Sequence, residues 1–210
     1  MQLCDMTVTE FVNTVASDAP APGGGSVAAL CGSIGAALTA MVGNLTQGRK
    51  KYAEYAAFAA QVEAKGNELK AKLLDVMDRD TEAFLLVSRA FALPKGTEEE
   101  KAARSAAIQT GLKACTGTPL EMMALCAEAA RLAAAFAQNG FNDSSASDLG
   151  VAFLSLSAAI RGAWLNVLIN ISSLKDQAFA DECRQRGQRL LDETLPLCDA
   201  GYEKILDMVN

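Results

Sequence analysis

Histidine is absent from this chain of 210 residues. Its absence excludes Ser-His and Cys-His nucleophilic pairs, histidine metal sites and the usual general base at neutral pH. Any proton transfer must therefore use a carboxylate, lysine, tyrosine or cysteine. The six cysteines include no Cys-x-x-Cys pair, so the sequence predicts neither a metal site nor a small disulfide framework. Reduced thiols in a cytoplasmic protein are the simplest interpretation.

Positive charge is also scarce. The 19 basic residues are outnumbered by 25 acidic ones, which gives a net charge of −6 and argues against a nucleic-acid partner, because that needs a basic face. Asp5 and Glu10 interrupt the short apolar patch at the N-terminus, so no signal peptide is predicted. With 50% hydrophobic residues and no linker or repeat, residues 1–210 are predicted to form a single domain.

Strand-like alternation is missing over any useful length, and the predicted fold is an all-α, single-domain helical bundle with a central apolar helix and one long helix. Thr7, Thr97 and Thr118 are each followed three residues later by glutamate, the pattern of a capping box that opens a helix. The predicted helices after the first, short one span residues 26–46, 53–92, 97–115, 118–138, 148–173 and 175 to the end, with Pro196 interrupting the last.

The helix at 26–46 is apolar on all sides, and residues 27–42 contain no charge and no proline. Such a segment could be mistaken for a membrane span. It is poor in bulky residues, however, and shorter than the roughly 20 apolar residues that a span requires. Burial at the centre of a bundle, with no membrane partner, is therefore the prediction.

A glycine-rich loop precedes this helix at residues 20–26, with the sequence PAPGGGS. Ser26 is predicted to be the N-cap of the helix. Gly23, Gly24 and Gly25 would let the backbone approach a ligand closely, and a helix N-terminus favours anionic or polar groups. A flexible loop that ends in an ordinary cap is the alternative. The segment is neither a Walker loop nor a dinucleotide fingerprint.

The long predicted helix carries an apolar stripe that contains one carboxylate, Asp80. A carboxylate among Leu, Met and Phe has a raised pKa unless it is paired, which makes it a candidate general acid or base. A structural ion pair with Arg or Lys from another helix is the alternative. Asp78 is expected on the opposite, solvated side. The stripe consists of Val62, Gly66, Leu69, Leu73, Met77, Asp80, Phe84, Val87 and Phe91.

The helix from Asp148 has one small and polar face, which ends in Asn166 and Asn170, one turn apart. Such a face would let a flat ligand lie close to the backbone while the amides read its edge. Close packing between helices is the alternative interpretation. A third cluster is the basic run Arg49, Lys50 and Lys51, which could bind an anionic ligand or simply complement a helix dipole.

Four segments in this order, PAPGGGSVAAL (20–30), MVGNLTQGRKKY (41–52), DTEAF (80–84) and NVLIN (166–170), resemble the cyclodeaminase/cyclohydrolase family of folate enzymes. The resemblance spans essentially the whole chain. It implies an all-helical homodimer that acts on the one-carbon bridge of tetrahydrofolate.

The same resemblance assigns candidate roles to individual residues. Asp80 occupies the Asp-x-x-Ala-Phe position that the family is thought to use for proton transfer. Arg49 and Lys50 would bind the glutamate carboxylates of a folate, which can be polyglutamylated. Asn142 and Asp148 match the family's polar loop, although Phe141 stands where the family has glycine.

The sequence therefore predicts a formiminotetrahydrofolate cyclodeaminase, which releases ammonia to give 5,10-methenyltetrahydrofolate. A methenyltetrahydrofolate cyclohydrolase, which gives 10-formyltetrahydrofolate, is the alternative activity. Neither reaction demands a metal or redox cofactor, so none is expected besides the folate substrate. A non-catalytic helical binding or assembly module is the alternative of another class, in which the stripe and the polar face serve packing only.

Overall fold

The computed structural model describes residues 2–210, of which the great majority are helical and none is in a strand. This confirms the predicted all-α class. The six α-helices are α1 (Val8–Val15), α2 (Gly24–Thr46), α3 (Ala56–Phe91), α4 (Glu98–Asn139), α5 (Ala146–Ile171) and α6 (Gln177–Val209), with 3₁₀ turns at Leu3–Asp5, Lys50–Tyr55 and Asp143–Ser145.

Two of the three predicted capping boxes are present. The Thr7 hydroxyl accepts the amide of Glu10 at the start of α1, and Glu10 accepts the amide of Thr7 in return. Thr97 and Glu100 form the same reciprocal pair at the start of α4. In both cases the local sequence alone determines where the helix begins, because all the required hydrogen bonds lie within four residues.

The third predicted box, at Thr118, is wrong, because α4 continues through Pro119 to Asn139. The Thr118 hydroxyl donates to the Ala114 carbonyl one turn earlier, at 3.3 Å, rather than capping a new helix. Glu121, the expected partner, instead forms an ion pair with Arg79 of α3 at 2.7 Å. The side chains that would have made the cap are therefore committed to other contacts.

Other predicted boundaries differ less. Pro196 lies inside α6 without interrupting it. This last helix begins at Gln177 rather than 175, because the Asp176 side chain accepts the amide of Phe179 at 3.1 Å and caps it. The 3₁₀ turn at Lys50–Tyr55 delays the start of α3 by three residues relative to the prediction.

Four helices lie side by side in the order α3, α2, α5, α6, and α4 packs across one side of this layer. Both neighbours of α2 run antiparallel to it and approach it closely at glycines. Gly43 faces the backbone of Ala59 in α3, and Gly35 faces Leu156 in α5. One continuous hydrophobic core joins the helices; its largest fully buried side chains include Leu69, Leu73, Met77, Met122, Met123, Phe136, Phe153 and Leu156.

The predicted burial of α2 at the centre of the layer is confirmed by its position between α3 and α5. Two helical segments, Gly24–Thr46 and Asp143–Ile171, are long and apolar enough to cross a membrane by length and composition alone. Within their apolar windows, 61% and 39% of residues respectively are buried in the protein. Such values are also found in core helices of soluble proteins, so they do not identify a span.

The side of the layer opposite α4 is uncovered at its centre. Apolar side chains recur there at intervals of three, four, seven or eleven residues along α2 and α5, and they are exposed to solvent. We call this surface the α2–α5 face; it consists of Ile34, Met41, Val151, Leu154, Leu165 and Ile169.

Candidate functional site

A cavity of about 300 Å³ lies where the N-terminal end of α2 meets α3, α4 and α5. It brings together most of the predicted site residues: the glycine loop, Asp80, Asn166 and Asn170. The lining residues are Pro20, Ala21, Gly23, Gly24, Gly25, Ser26, Asp80, Thr81, Phe84, Cys115, Asn166, Ile169 and Asn170.

Among the residues that line this cavity, Asp80 carries the carboxylate. Asp80 is half-buried, and burial raises its pKa to about 6, while the nearby Thr118 side chain opposes the rise. No cation within residues 2–210 contributes to this pKa. The alternative of a structural ion pair is therefore not observed, and Asp80 can exchange a proton near neutral pH.

The glycine loop comes close to another part of the protein at Gly25, whereas its predicted approach to a ligand remains a prediction. A methyl group there would lie 2.7 Å from Asp80 Cγ and 2.8 Å from Asp80 Oδ1, so only glycine leaves room for the carboxylate. A methyl group at Gly24 would fit, because its nearest neighbour, Asn166 Nδ2, would lie 3.7 Å away. A methyl group at Gly23 would meet nothing within 4 Å. None of the three glycines has a positive φ. Position 25 therefore requires glycine because of the close contact with Asp80, not because of backbone conformation.

The N-cap of α2 is Gly23, not Ser26 as predicted. The helix begins earlier because the glycines adopt helical geometry, which places Ser26 at the third position of the first turn. Ser26 is buried, and its hydroxyl lies 3.2 Å from the Thr81 hydroxyl of α3. Gly23 has no side chain to cap the first amides of α2, so this helix end offers uncapped N–H groups beside the cavity.

Asn166 and Asn170 both lie on the cavity side of α5, as their spacing predicts. Asn166 Nδ2 donates to the carbonyl of Gly162 at 2.9 Å. Asn170 Nδ2 donates to two carbonyl oxygens, that of Asn166 at 2.8 Å and that of Cys115 in α4 at 2.7 Å. The side-chain amides thus bond to backbone carbonyls, as helix packing predicts, and also border the cavity, as a ligand-binding role predicts.

Asn142 and Asp148 do not line this cavity. Asn142 is buried; it receives the Ser144 amide at 3.2 Å and donates its side-chain amide to the Leu45 carbonyl at 3.0 Å. These contacts fix the turn before α5 to the end of α2. Phe141, the departure from the family pattern, is buried against Phe136 with ring centroids 5.8 Å apart.

The predicted basic residues also lie elsewhere. Arg49 and Lys50 follow the C-terminal end of α2, a helix of 23 residues and hence about 33 Å long. Both are exposed. Lys51 forms an ion pair with Asp143 at 2.8 Å. A single copy of the chain therefore does not bring Arg49 or Lys50 to the cavity.

Several lining residues were not predicted as site residues. Phe84 was assigned to the apolar stripe and to the family segment DTEAF but not to the site, yet it is 42% exposed at the cavity. Its position one turn after Asp80 was the available signal. Cys115 gave no signal in the sequence, and burial raises its pKa to about 11, so its thiol stays neutral.

Asp78 does not line the cavity. It was expected to be solvated, but its side chain accepts a hydrogen bond from the Leu3 amide at 2.6 Å.

No group of three Cys, Asp or Glu side chains suited to a metal ion occurs within residues 2–210. The chemistry visible at the cavity is thus that of one titratable carboxylate, two carboxamides, a helix N-terminus and an exposed aromatic ring. This combination suits a flat, polar, uncharged or cationic ring system that must gain or lose a proton.

Comparisons with known proteins agree with this description. The formiminotransferase-cyclodeaminase family matches residues 7–189. A methenyltetrahydrofolate cyclohydrolase from Methylorubrum extorquens is 45% identical over 97% of this chain and 98% of its own length. A formimidoyltransferase-cyclodeaminase from Rattus norvegicus is 36% identical over 91% of this chain, which spans about a third (35%) of the rat protein. The crystal structure of a formiminotetrahydrofolate cyclodeaminase from Thermotoga maritima is 27% identical, with a TM-score of 0.80 over 98% of this chain and 96% of that one.

Proposed function

Since the chain belongs to the formiminotransferase-cyclodeaminase family of folate one-carbon enzymes, we propose that it hydrolyses 5,10-methenyltetrahydrofolate to 10-formyltetrahydrofolate. The observation that carries the choice of reaction is the cyclohydrolase relative, which is 45% identical and matches this chain along nearly its whole length. The sequence alone had favoured cyclodeamination, on the resemblance of its four segments.

In the proposed reaction, water attacks the methenyl carbon between the two folate nitrogens. Asp80 removes a proton from this water as the C–O bond forms, and the carbon becomes tetrahedral. The bond from this carbon to N5 then breaks as N5 takes the proton from Asp80. The hydroxyl oxygen forms the C=O of the formyl group as its own proton passes to solvent, and the formyl group stays on N10. A single group that exchanges a proton near neutral pH serves both steps, and Asp80, with a pKa of about 6, has that property.

The residues that line the cavity are of the kinds that would bind a pterin ring. Phe84 offers an exposed aromatic surface, and Asn166 and Asn170 offer carboxamides beside it. The uncapped first turn of α2 provides N–H donors on the glycine side. A pterin carries both hydrogen-bond donors and acceptors on its edge, so groups of both kinds are useful here.

Cyclodeamination of formiminotetrahydrofolate is the second candidate. The Thermotoga maritima protein, whose fold matches along nearly the whole chain, bears that name. In this reaction N10 attacks the formimino carbon and ammonia leaves after it is protonated, so Asp80 would deliver a proton rather than remove one. The same cavity serves both reactions because each passes through a tetrahedral carbon between two nitrogens.

The absorbance of methenyltetrahydrofolate distinguishes the candidates. Cyclohydrolysis predicts that the protein accelerates the loss of this absorbance from added methenyltetrahydrofolate, whereas cyclodeamination predicts its appearance from formiminotetrahydrofolate with release of ammonia. The same mixture without protein measures the uncatalysed rate under the same conditions. If neither substrate is turned over faster than in this blank, the protein is a binding or assembly module.

We also propose that the protein is a cytoplasmic homodimer joined through the α2–α5 face. The six apolar side chains of this face leave on the order of 600 Å² uncovered per copy, the upper end for a monomer and approaching the roughly 800 Å² that each partner buries in a standard interface. Arg49 and Lys50 remain candidates for the carboxylates of a polyglutamylated folate, and the partner copy is then the means of bringing them near a cavity.

A further inference from the structure

Pro119 lies in the interior of α4, four residues after Cys115. In a regular helix the amide of residue 119 would donate to the carbonyl of residue 115, but proline has no amide hydrogen. The Cys115 carbonyl therefore lacks its usual helical partner. Cys115 is buried, and a buried carbonyl without a partner is costly.

Asn170 supplies the missing donor. Its Nδ2 donates to the Cys115 carbonyl at 2.7 Å and to the Asn166 carbonyl at 2.8 Å. A carboxamide has two N–H groups, and these two bonds use both. The reversed orientation would place Oδ1 against two carbonyl oxygens, so the side-chain amide has one favourable orientation.

This orientation leaves Asn170 Oδ1 without a donor from residues 2–210, at a residue that lines the cavity. We propose that Pro119 is a positioning residue for ligand binding. By removing one helical hydrogen bond, it makes the Cys115 carbonyl available to Asn170, and this fixes Asn170 Oδ1 as an acceptor for an N–H group of the ligand ring. The identity of the ring rests on the proposed function; the hydrogen-bond relay does not.

Pro119→Ala tests the relay, because alanine restores the amide that bonds to Cys115. Released from Cys115, the Asn170 carboxamide can rotate, and the KM for methenyltetrahydrofolate should rise about three- to tenfold, as expected for a loosened hydrogen bond. The value of kcat should stay within about twofold, because Pro119 does not line the cavity. The melting temperature should not fall, since alanine is a better helix former than proline.

A matched control is Pro196→Ala in α6. Pro196 is also inside a helix but is exposed, and no residue of α6 lines the cavity, so this variant should leave KM unchanged. A double-variant cycle adds the decisive comparison. If Pro119 acts through Asn170, then Pro119→Ala adds nothing to the KM of Asn170→Ala. Additive effects, or an unchanged KM in Pro119→Ala, would overturn the proposal.

A readout that does not need activity is the exchange of the Asn170 side-chain N–H protons with solvent, measured by NMR. Exchange should be slow in the unmodified protein and at least several-fold faster in Pro119→Ala. Rapid exchange in the unmodified protein would contradict the relay even if the folate is turned over. Conversely, absence of folate turnover with slow exchange would overturn the proposed function and leave the relay in place.

Discussion

Gly25 and Asp80 are packed so closely that the carboxylate occupies the space where any other residue at position 25 would place its Cβ. Two antiparallel helices are thus in contact at the point where the proposed proton-transfer group enters the cavity. This contact explains why the glycine loop and the carboxylate belong to one site, although Gly25 and Asp80 are 55 positions apart in the sequence.

Gly25→Ala should displace the Asp80 side chain, because the new methyl group would lie 2.7 Å from Asp80 Cγ. We expect turnover to fall by at least about tenfold while the helical circular dichroism spectrum is retained. Gly24→Ala is the matched control, since its methyl group would meet only Asn166 Nδ2 at 3.7 Å. Equal turnover in the two variants would show that the close contact has no role.

Asp80→Asn should reduce turnover by roughly a hundredfold or more, the usual contribution of a positioned acid or base. The KM should change little, because the amide is similar in size and polarity. Asp78→Asn is the control: Asp78 lies two residues away and bonds to the Leu3 amide rather than lining the cavity. A variant at position 80 that is less stable but fully active would contradict the catalytic assignment.

The pKa of Asp80 also predicts how stability depends on pH. Its folded pKa of about 6 lies above the ordinary value of 3.8, so the folded state binds the proton more tightly than the unfolded state does. The resulting stabilisation is complete below about pH 4 and is lost as pH rises through about 6. Asp80→Asn should therefore match the unmodified protein near pH 4 and exceed its unfolding free energy by up to about 3 kcal/mol above pH 7. Urea titrations at several pH values measure this difference.

The pH dependence of activity separates the two candidate reactions. If Asp80 removes a proton from water in cyclohydrolysis, kcat/KM rises with pH through about 6, because the ionised form is the active one. If it delivers a proton to ammonia in cyclodeamination, kcat/KM falls over the same range. Initial rates corrected for the rate without protein at each pH give the profile, and a flat profile between pH 5 and 7 would exclude both roles.

Leu165→Glu should separate a dimer that is joined through the α2–α5 face. Leu165 is 66% exposed at the centre of the C-terminal half of α5, and a buried glutamate without a partner would destabilise an interface by several kcal/mol. Light scattering should then return the mass of one chain, 22.0 kDa. Leu86→Glu, at a residue of α3 that is 51% exposed outside this face, should leave the mass of the unmodified protein unchanged.

Replacing both Arg49 and Lys50 by glutamine removes their charges and tests their predicted role. If they bind the glutamate tail, the KM for a polyglutamylated substrate should rise several-fold and that for the monoglutamate should not change. The difference should shrink at high salt, because exposed charges are screened. Equal effects on both substrates would indicate that these residues do not contact the tail.

Much of the fold follows from local signals in the sequence. Thr7 and Thr97 cap their helices with partners only three residues away, and the apolar stripe of α3 is buried at Val62, Leu69, Leu73 and Met77. These features are short-range or periodic, so a sequence shows them directly. The placement of Asp80, Asn166 and Asn170 on their helices could be predicted for the same reason.

The errors have long-range causes. Pro119 looked like the first residue of a new helix, but the carbonyl that it leaves without a partner is bonded by Asn170, 55 positions from Cys115. Likewise, Glu121 looked like a capping residue but pairs with Arg79, 42 positions away. The hydrogen bond from the Asn142 side-chain amide to the Leu45 carbonyl, across 97 positions, was not predicted either. Nothing in the local sequence shows such partners, because they depend on which helices become neighbours.

The glycines between α2 and α3 have a consequence for how precisely the cavity can be built. Gly43 meets the backbone at Ala59, Gly66 meets it at Ala36 and Ala40, and Gly25 meets Asp80. Close contacts at three positions along α2 and α3 prevent one helix from sliding along the other. The position of Asp80 relative to the N-terminal end of α2 is therefore set by contacts spread over about 30 Å of helix. A bulky residue at the most distant contact, Gly43, would shift the Asp80 carboxylate without touching it.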